Sequence, residues 1–135
     1  MRILVIEDSR FLRSAIERTL VKAHCDVIAI GDGREGLRHA QDDHPDVILL
    51  DMMLPNLDGT AVLRVLKEDP RTKVIPVIVL SGLPQKNESR LKSAGAAAYI
   101  EKSRLNLSGD GNDLMKFIHD LLGELSPVSA DSSQS

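Results

Sequence analysis

The sequence predicts an α/β fold with a doubly wound, five-stranded parallel sheet and helices on both faces. Short apolar runs of strand length alternate five times with segments of helical spacing. The runs are continuous, which is typical of strands that are covered on both faces. Repeated strand–helix units of this kind favour parallel strands joined by right-handed crossovers. The predicted strands are residues 3–6, 27–30, 47–50, 77–80 and 98–100.

A helix is predicted after each strand. Ser9 suits the N-cap of the first helix, and Gly95 suits the C-cap of the fourth. Pro70 ends the third helix, because proline cannot continue a helical hydrogen-bond ladder. The fifth helix has the clearest apolar period, and the fourth is short of apolar residues. The predicted helices are, approximately, residues 12–20, 33–43, 60–68, 85–94 and 114–125.

The composition indicates one globular domain without a nucleic-acid surface. The chain has 135 residues, 42% of them hydrophobic, a net charge of −3, and no tryptophan. Scattered basic residues and few aromatic residues argue against nucleic-acid binding. The N-terminal apolar run is too short for membrane insertion or a signal peptide, so a cytoplasmic protein is expected. We place the domain at residues 1–125 and a Ser-rich flexible tail or linker at 126–135, and expect Cys25 to be a buried structural thiol in a reducing compartment.

Polar residues follow four of the predicted strands. Glu7 and Asp8 follow the first strand, Asp51 ends the third, Ser81 follows the fourth and Lys102 follows the fifth. In an open parallel sheet, ligands bind beyond the carboxyl ends of the strands, where the strand order reverses. With the order 2-1-3-4-5, that point lies between the first and third strands, so three carboxylates are expected to meet there. Clustered carboxylates repel one another unless they share a cation, and Mg²⁺ prefers such oxygen ligands.

Two further features join this pattern. The segment after Asp51 reads Leu54-Pro55-Asn56-Leu57-Asp58-Gly59, and Tyr99 precedes Lys102 by three residues. Over about residues 1–122 the sequence resembles the receiver domain of two-component response regulators, which has a flavodoxin-like fold. The resemblance implies that Asp51 is the phosphoacceptor, assisted by Lys102 and Ser81. It also implies that Ser81 and Tyr99 form a switch.

The same resemblance implies a cofactor and partners. Mg²⁺ would be bound by Glu7, Asp8, Asp51 and the backbone carbonyl of Met53. The phosphoryl donor would be a sensor histidine kinase or a histidine phosphotransfer protein. A downstream protein target would dock on the fourth helix, fifth strand and fifth helix. The role is that of a signalling module and not of an enzyme.

The sequence departs from the family pattern at three places. Ser103 stands where a proline usually follows the lysine, and a cis bond before it would cost about 2.5–4 kcal/mol. The segment 103–112 is longer than usual and contains Gly109-Asp110-Gly111. Met53 and Leu83 lie two residues beyond Asp51 and Ser81, respectively. Both are apolar and poorly suited to orient a water for hydrolysis of an acyl phosphate. Slow self-dephosphorylation is therefore expected.

Three alternatives belong to other functional classes. A Mg²⁺-dependent phosphohydrolase would usually carry a second aspartate where this chain has Met53. A phosphate-independent docking module, or pseudo-receiver, would be consistent with Ser103 and the altered loop. A flavin-binding relative is disfavoured because Glu7 and Asp8 would repel a phosphate after the first strand.

Overall fold

Strands and helices alternate along the whole described part of the chain. The computed structural model describes residues 1–54, 59–82, 88–105, 107 and 112–124. The strands in that part are β1 (Arg2–Ile6), β2 (Asp26–Ile30), β3 (Val47–Asp51), β4 (Val77–Ser81) and β5 (Ala98–Glu101). The α-helices are α1 (Arg10–Lys22), α2 (Gly33–Asp43), α3 (Gly59–Glu68), α4 (Glu88–Ser93) and α5 (Asn112–Glu124), and a short 3-10 helix covers Lys102–Arg104.

The five strands form one parallel sheet in the order β2-β1-β3-β4-β5. This is the predicted topology. Ile6 of β1 pairs with Leu50 of β3, so the residues that follow these two strands are neighbours. Ser81 pairs with Glu101, which brings the ends of β4 and β5 to the same edge. The predicted switch point therefore lies between β1 and β3.

Each face of the sheet has its own apolar core. Successive side chains of a strand point to opposite faces. Leu4 of β1 packs in a cluster with residues of α2, α3 and α4, whereas Ile3 and Val5 pack with residues of α1 and α5. Helices thus cover both faces, as the continuous apolar runs predict.

Local sequence signals explain most helix boundaries. The Ser9 hydroxyl accepts the Leu12 amide at 3.2 Å and caps α1, and the Asp32 carboxylate caps α2 by accepting the Arg34 amide at 3.1 Å. Gly95 follows α4 with φ of +112°, a conformation that favours glycine. Several sequence predictions fall on positions outside the described residues: residues 55–58 of the turn, Leu83, residues 85–87 of the predicted fourth helix, Gly109-Asp110-Gly111, residue 125 of the predicted fifth helix, and the tail at 126–135.

Cys25 is less buried than the sequence predicts. Its side chain is only partly buried, and its Sγ lies 3.5 Å from Met115 Sδ on α5. Cys25 immediately precedes β2, which is an edge strand and is therefore less covered than the central strands. Among the described residues, no helix is long and apolar enough to cross a membrane.

Candidate functional site

Asp51 is a buried carboxylate at the carboxyl end of the central strand β3. Only 1% of its surface is exposed, and every other residue of the strand is buried as well. Its Oδ1 accepts the backbone amide of Met53 at 3.1 Å. The amide fixes one carboxylate oxygen at the sheet edge.

Glu7 is the second buried carboxylate at this edge. It follows β1 and is fully buried, and its amide donates to the carbonyl of Ile30 at 3.0 Å. Its Oε2 accepts the Ser9 amide at 2.9 Å. The turn into α1 therefore determines where this side chain points.

Lys102 lies between the two carboxylates. Its Nζ is 3.0 Å from Glu7 Oε1 and 2.9 Å from Asp51 Oδ1, and 24% of the lysine side chain is exposed. Glu7 Oε1 is therefore paired with the Lys102 ammonium. One ammonium thus offsets two buried negative charges, as the convergence of strand ends predicts for these three residues.

Burial and charge set the protonation of this group. Burial raises the pKa of Glu7 above its ordinary value of 4.5, and the charge of Asp51 adds to that rise. The Ser9 amide and Lys102 oppose the rise without cancelling it. Burial lowers the pKa of Lys102, but Asp51 and Glu7 together outweigh it and raise that pKa above 10.5. Lys102 is therefore charged at neutral pH.

The predicted magnesium ligands are only partly gathered. Asp8 is exposed, and no three His, Cys, Asp or Glu side chains of the described chain are close enough to hold a metal ion. Glu7 and Asp51 do converge, since Glu7 Oε1 and Asp51 Oδ1 both face the Lys102 ammonium, at 3.0 Å and 2.9 Å. This pair of hard oxygen donors fits Mg²⁺, which needs only one or two carboxylates and keeps several waters.

The predicted switch residues lie next to this group in the sheet. Ser81 ends β4 and is 1% exposed, and Tyr99 in β5 is 7% exposed. Val79, two residues before Ser81, pairs with Tyr99 in the register of the sheet. Tyr99 belongs to the apolar cluster that also contains Leu91 of α4. The side chain is therefore held among apolar neighbours on the α4 face.

The chain continues from Lys102 without a cis bond. All peptide bonds in the described part, including the one before Ser103, are trans. The 3-10 helix follows, and the Leu105 amide donates to the carbonyl of Lys102 at 3.2 Å. This compact turn places the Lys102 side chain at the site without the usual proline.

Gly59 packs closely against the end of β3. A Cβ at this position would lie 2.4 Å from the Asp51 carbonyl oxygen and 2.5 Å from Met52 Cα. The Gly59 amide also donates to the carbonyl of Met52 at 3.0 Å. Helix α3 can therefore begin directly behind Asp51 only with glycine here. Sequence reasoning places this residue in the turn but does not reveal the close approach.

Arg13 is a site neighbour that the sequence does not single out. Its Nη1 donates to the carbonyl of Glu7 at 2.9 Å and lies 3.3 Å from the carbonyl of Asp8. The guanidinium also lies against Gly31, where a Cβ would be 2.5 Å from Nη1. Nothing in the sequence distinguishes it from other arginines of α1, although its spacing of six from Glu7 is compatible with contact across the turn.

Comparison with known families agrees with this geometry. Residues 3–107 match the response regulator receiver domain. The chain belongs to this family. Its sequence is 37% identical over 105 residues to Protein PilG of Pseudomonas aeruginosa, covering 76% of each chain. It is 35% identical over 102 residues to the polar-differentiation response regulator DivK of Brucella ovis, covering 74% of this chain and 82% of DivK.

A solved receiver domain has the same fold. It belongs to the sensor histidine kinase PA1611 of Pseudomonas aeruginosa PAO1 and superposes with a TM-score of 0.77 at 26% identity. The match covers 90% of this chain and 97% of that one. Its structure contains a magnesium ion coordinated in the active site cleft. The family and the fold predicted from the sequence are therefore confirmed.

Proposed function

We propose that this receiver domain accepts a phosphoryl group on Asp51 from a sensor histidine kinase or a histidine phosphotransfer protein. The supporting observation is the buried Asp51 at the switch point of the sheet, with the Lys102 ammonium 2.9 Å from it. A buried carboxylate beside a fixed cation can act as a nucleophile toward phosphorus and then tolerate the added charge. The role is signalling, in the cytoplasm where such donors are expected.

The transfer exchanges one bond to phosphorus for another. An oxygen of Asp51 forms the new P–O bond, while the P–N bond to the donor imidazole breaks and the imidazole takes up a proton. Oδ1 is already held by the Met53 amide and Lys102, so we assign the attack to Oδ2. Lys102 then offsets charge on the transferred group, and Ser81 supplies a hydroxyl hydrogen bond to it.

We assign Glu7, Asp8, Asp51 and the Met53 carbonyl to Mg²⁺, which when bound neutralises charge on the phosphoryl oxygens. The convergence of the buried Glu7 and Asp51 carboxylates at one edge of the sheet supports this assignment. Asp8 would have to join from its exposed position in the turn.

The output follows from the placement of Tyr99. A groove of about 670 Å³ runs between β5 and α5, and Tyr99, Ile100, Phe117 and Leu121 are among the residues that line it. We propose that Ser81 moves toward the phosphoryl group and that the buried Tyr99 then turns into the space that Ser81 leaves. Because Tyr99 lines the groove, its movement would change the face formed by α4, β5 and α5, on which a downstream protein would dock.

Intact-mass spectrometry tests the acceptor role. The protein is incubated with a phosphorylated histidine donor protein or with acetyl phosphate, with and without Mg²⁺, beside an Asp51→Ala control. The expected result is a gain of one phosphoryl group that requires Mg²⁺ and is lost in the control. Failure with both donors would instead favour the phosphate-independent docking module.

A further inference from the structure

The turn after β1 has a second anchor in α1. Arg13 Nη1 donates to the carbonyl of Glu7 at 2.9 Å and lies 3.3 Å from the carbonyl of Asp8. The Arg13 amide donates to the carbonyl of Ser9 at 2.8 Å, which fixes the helix relative to the same turn. One guanidinium therefore holds two consecutive carbonyl groups between the acidic residues and the helix.

This contact reaches Glu7 through a single peptide unit. The peptide unit between Asp8 and Ser9 contacts both side chains. Its carbonyl oxygen accepts from Arg13 Nη1 at 3.3 Å, and its N–H donates to Glu7 Oε2 at 2.9 Å. Because a peptide unit is planar and rigid, holding its carbonyl also sets the direction of its N–H. The position of Arg13 therefore orients the Glu7 carboxylate through the backbone.

Gly31 provides the space for the guanidinium. A Cβ there would lie 2.5 Å from Arg13 Nη1 and 3.3 Å from its Cζ. Gly31 directly follows β2, whose last residue, Ile30, accepts the Glu7 amide. The conflict would be with the end of a flexible side chain, so alanine at this position should displace the guanidinium and leave the backbone in place.

We propose that Arg13 is a positioning residue for the cation site: it fixes the backbone of the turn that carries Glu7 and Asp8, and so orients the Glu7 carboxylate toward Mg²⁺. This inference rests on the proposed function, which assigns those two residues to Mg²⁺. Groups that orient metal ligands typically change metal affinity by about 10–100-fold. Arg13→Met should weaken Mg²⁺ binding by about tenfold, the lower end of that range, because Glu7 keeps its contact with Lys102.

Electrostatics alone predicts that Mg²⁺ affinity changes in the opposite direction. Arg13 is a cation beside an acidic site, so removing it should strengthen binding of another cation. Gly31→Ala leaves every charge unchanged and should nevertheless weaken Mg²⁺ binding. Arg18→Met removes the same charge from an exposed position of α1 and serves as the matched control. The direction of the change therefore separates positioning from electrostatics.

Amide NMR on the full chain provides both readouts. Titration with MgCl₂ gives the dissociation constant, and hydrogen exchange of the Ser9 amide reports on its bond to Glu7. We expect weaker Mg²⁺ binding and faster Ser9 exchange in Arg13→Met and in Gly31→Ala, partial recovery in Arg13→Lys, and no weakening in Arg18→Met. Equal or tighter binding in Arg13→Met, with unchanged Ser9 exchange, would overturn the proposal.

A failure of the metal assignment is distinguishable from a failure of this inference. If the wild-type protein does not bind Mg²⁺, the proposed function loses its cofactor, and the Ser9 exchange rates still decide whether Arg13 positions Glu7. If the wild type binds Mg²⁺, and Arg13→Met and Gly31→Ala bind it equally well, the positioning role of Arg13 is wrong and the metal assignment stands. Far-UV circular dichroism shows whether each variant is folded. If Arg13→Met does not fold, the comparison of Gly31→Ala with the wild type still decides the question.

Discussion

Replacing Lys102 with methionine should destabilise the metal-free protein in a pH-dependent manner. The substitution keeps an unbranched side chain and removes the ammonium that lies 3.0 Å from Glu7 Oε1 and 2.9 Å from Asp51 Oδ1. Two neighbouring buried carboxylates would then remain without a compensating charge. Removing one partner of a buried ion pair typically costs about 3–5 kcal/mol.

Protonation of Glu7 limits that cost. The variant can relieve the repulsion if Glu7 takes up a proton in the folded state. The ordinary pKa of this group is 4.5. Protonating it costs about 1.4 kcal/mol for each pH unit above that value, or about 3.4 kcal/mol at pH 7. We therefore expect a loss of about 3 kcal/mol at pH 7, which corresponds to roughly 10 °C in melting temperature.

The penalty of Lys102→Met should decrease at lower pH, because protonating Glu7 then costs less. Burial and the charge of Asp51 raise the pKa of Glu7, and removing Lys102 raises it further. A carboxyl whose pKa is raised on folding contributes stability below its unfolded pKa and loses it as pH rises through the folded pKa. The penalty of Lys102→Met should therefore shrink to about 1.4 kcal/mol at pH 5.5.

Urea unfolding with EDTA present measures this penalty. Unfolding curves are recorded at pH 7 and pH 5.5 for the wild type, Lys102→Met, Glu7→Gln and the double variant. The double variant should recover more than half of the loss, because it no longer buries two adjacent charges. Lys116→Met, an exposed lysine on α5, should change stability by less than about 0.5 kcal/mol. A penalty that is equal at both pH values, or is not reduced by Glu7→Gln, would refute the reasoning.

Three further predictions concern packing and reactivity. Gly59→Ala should destabilise the fold by about 1–3 kcal/mol in urea unfolding because its Cβ meets the Asp51 backbone. Gly123→Ala in α5, where a Cβ would have no atom of the described residues within 4 Å, should stabilise the fold by about 0.5–1 kcal/mol. Burial raises the pKa of the Cys25 thiol, so iodoacetamide at pH 7.5 should modify it more slowly in the native protein than in urea, and equal rates would contradict this. Met53→Asn should speed loss of phosphate from the phosphorylated protein several-fold by orienting a water, since Met53 is exposed beside the acceptor, and radiolabel decay equal to wild type would oppose it.

The sequence predicts the sheet and part of the site for physical reasons. The apolar runs end at charged or hydroxyl residues, so the ends of β1, β3, β4 and β5 can be located from the order of residues along the chain. The order of the strands then brings Glu7, Asp51 and Lys102 together without further information. The sequence does not show which of the adjacent residues Glu7 and Asp8 is buried, because that depends on the backbone of one turn.

Other features require coordinates because the sequence pattern is degenerate. Arg10, Arg13 and Arg18 look alike in the sequence of α1, and only the packing against Gly31 identifies Arg13 as the one that contacts the turn. The partial exposure of Cys25 follows from the edge position of β2. An apolar run does not reveal whether its strand is central or at an edge, so burial was overpredicted there.

The most direct test of the central claim is to locate the phosphoryl group. The protein is phosphorylated with acetyl phosphate and Mg²⁺, reduced with borohydride, and digested for peptide mass spectrometry. An aspartyl phosphate is reduced to homoserine, which is expected at position 51 only. Homoserine at Asp8 in place of Asp51, or a phosphoryl group that survives on a hydroxyl side chain, would contradict it.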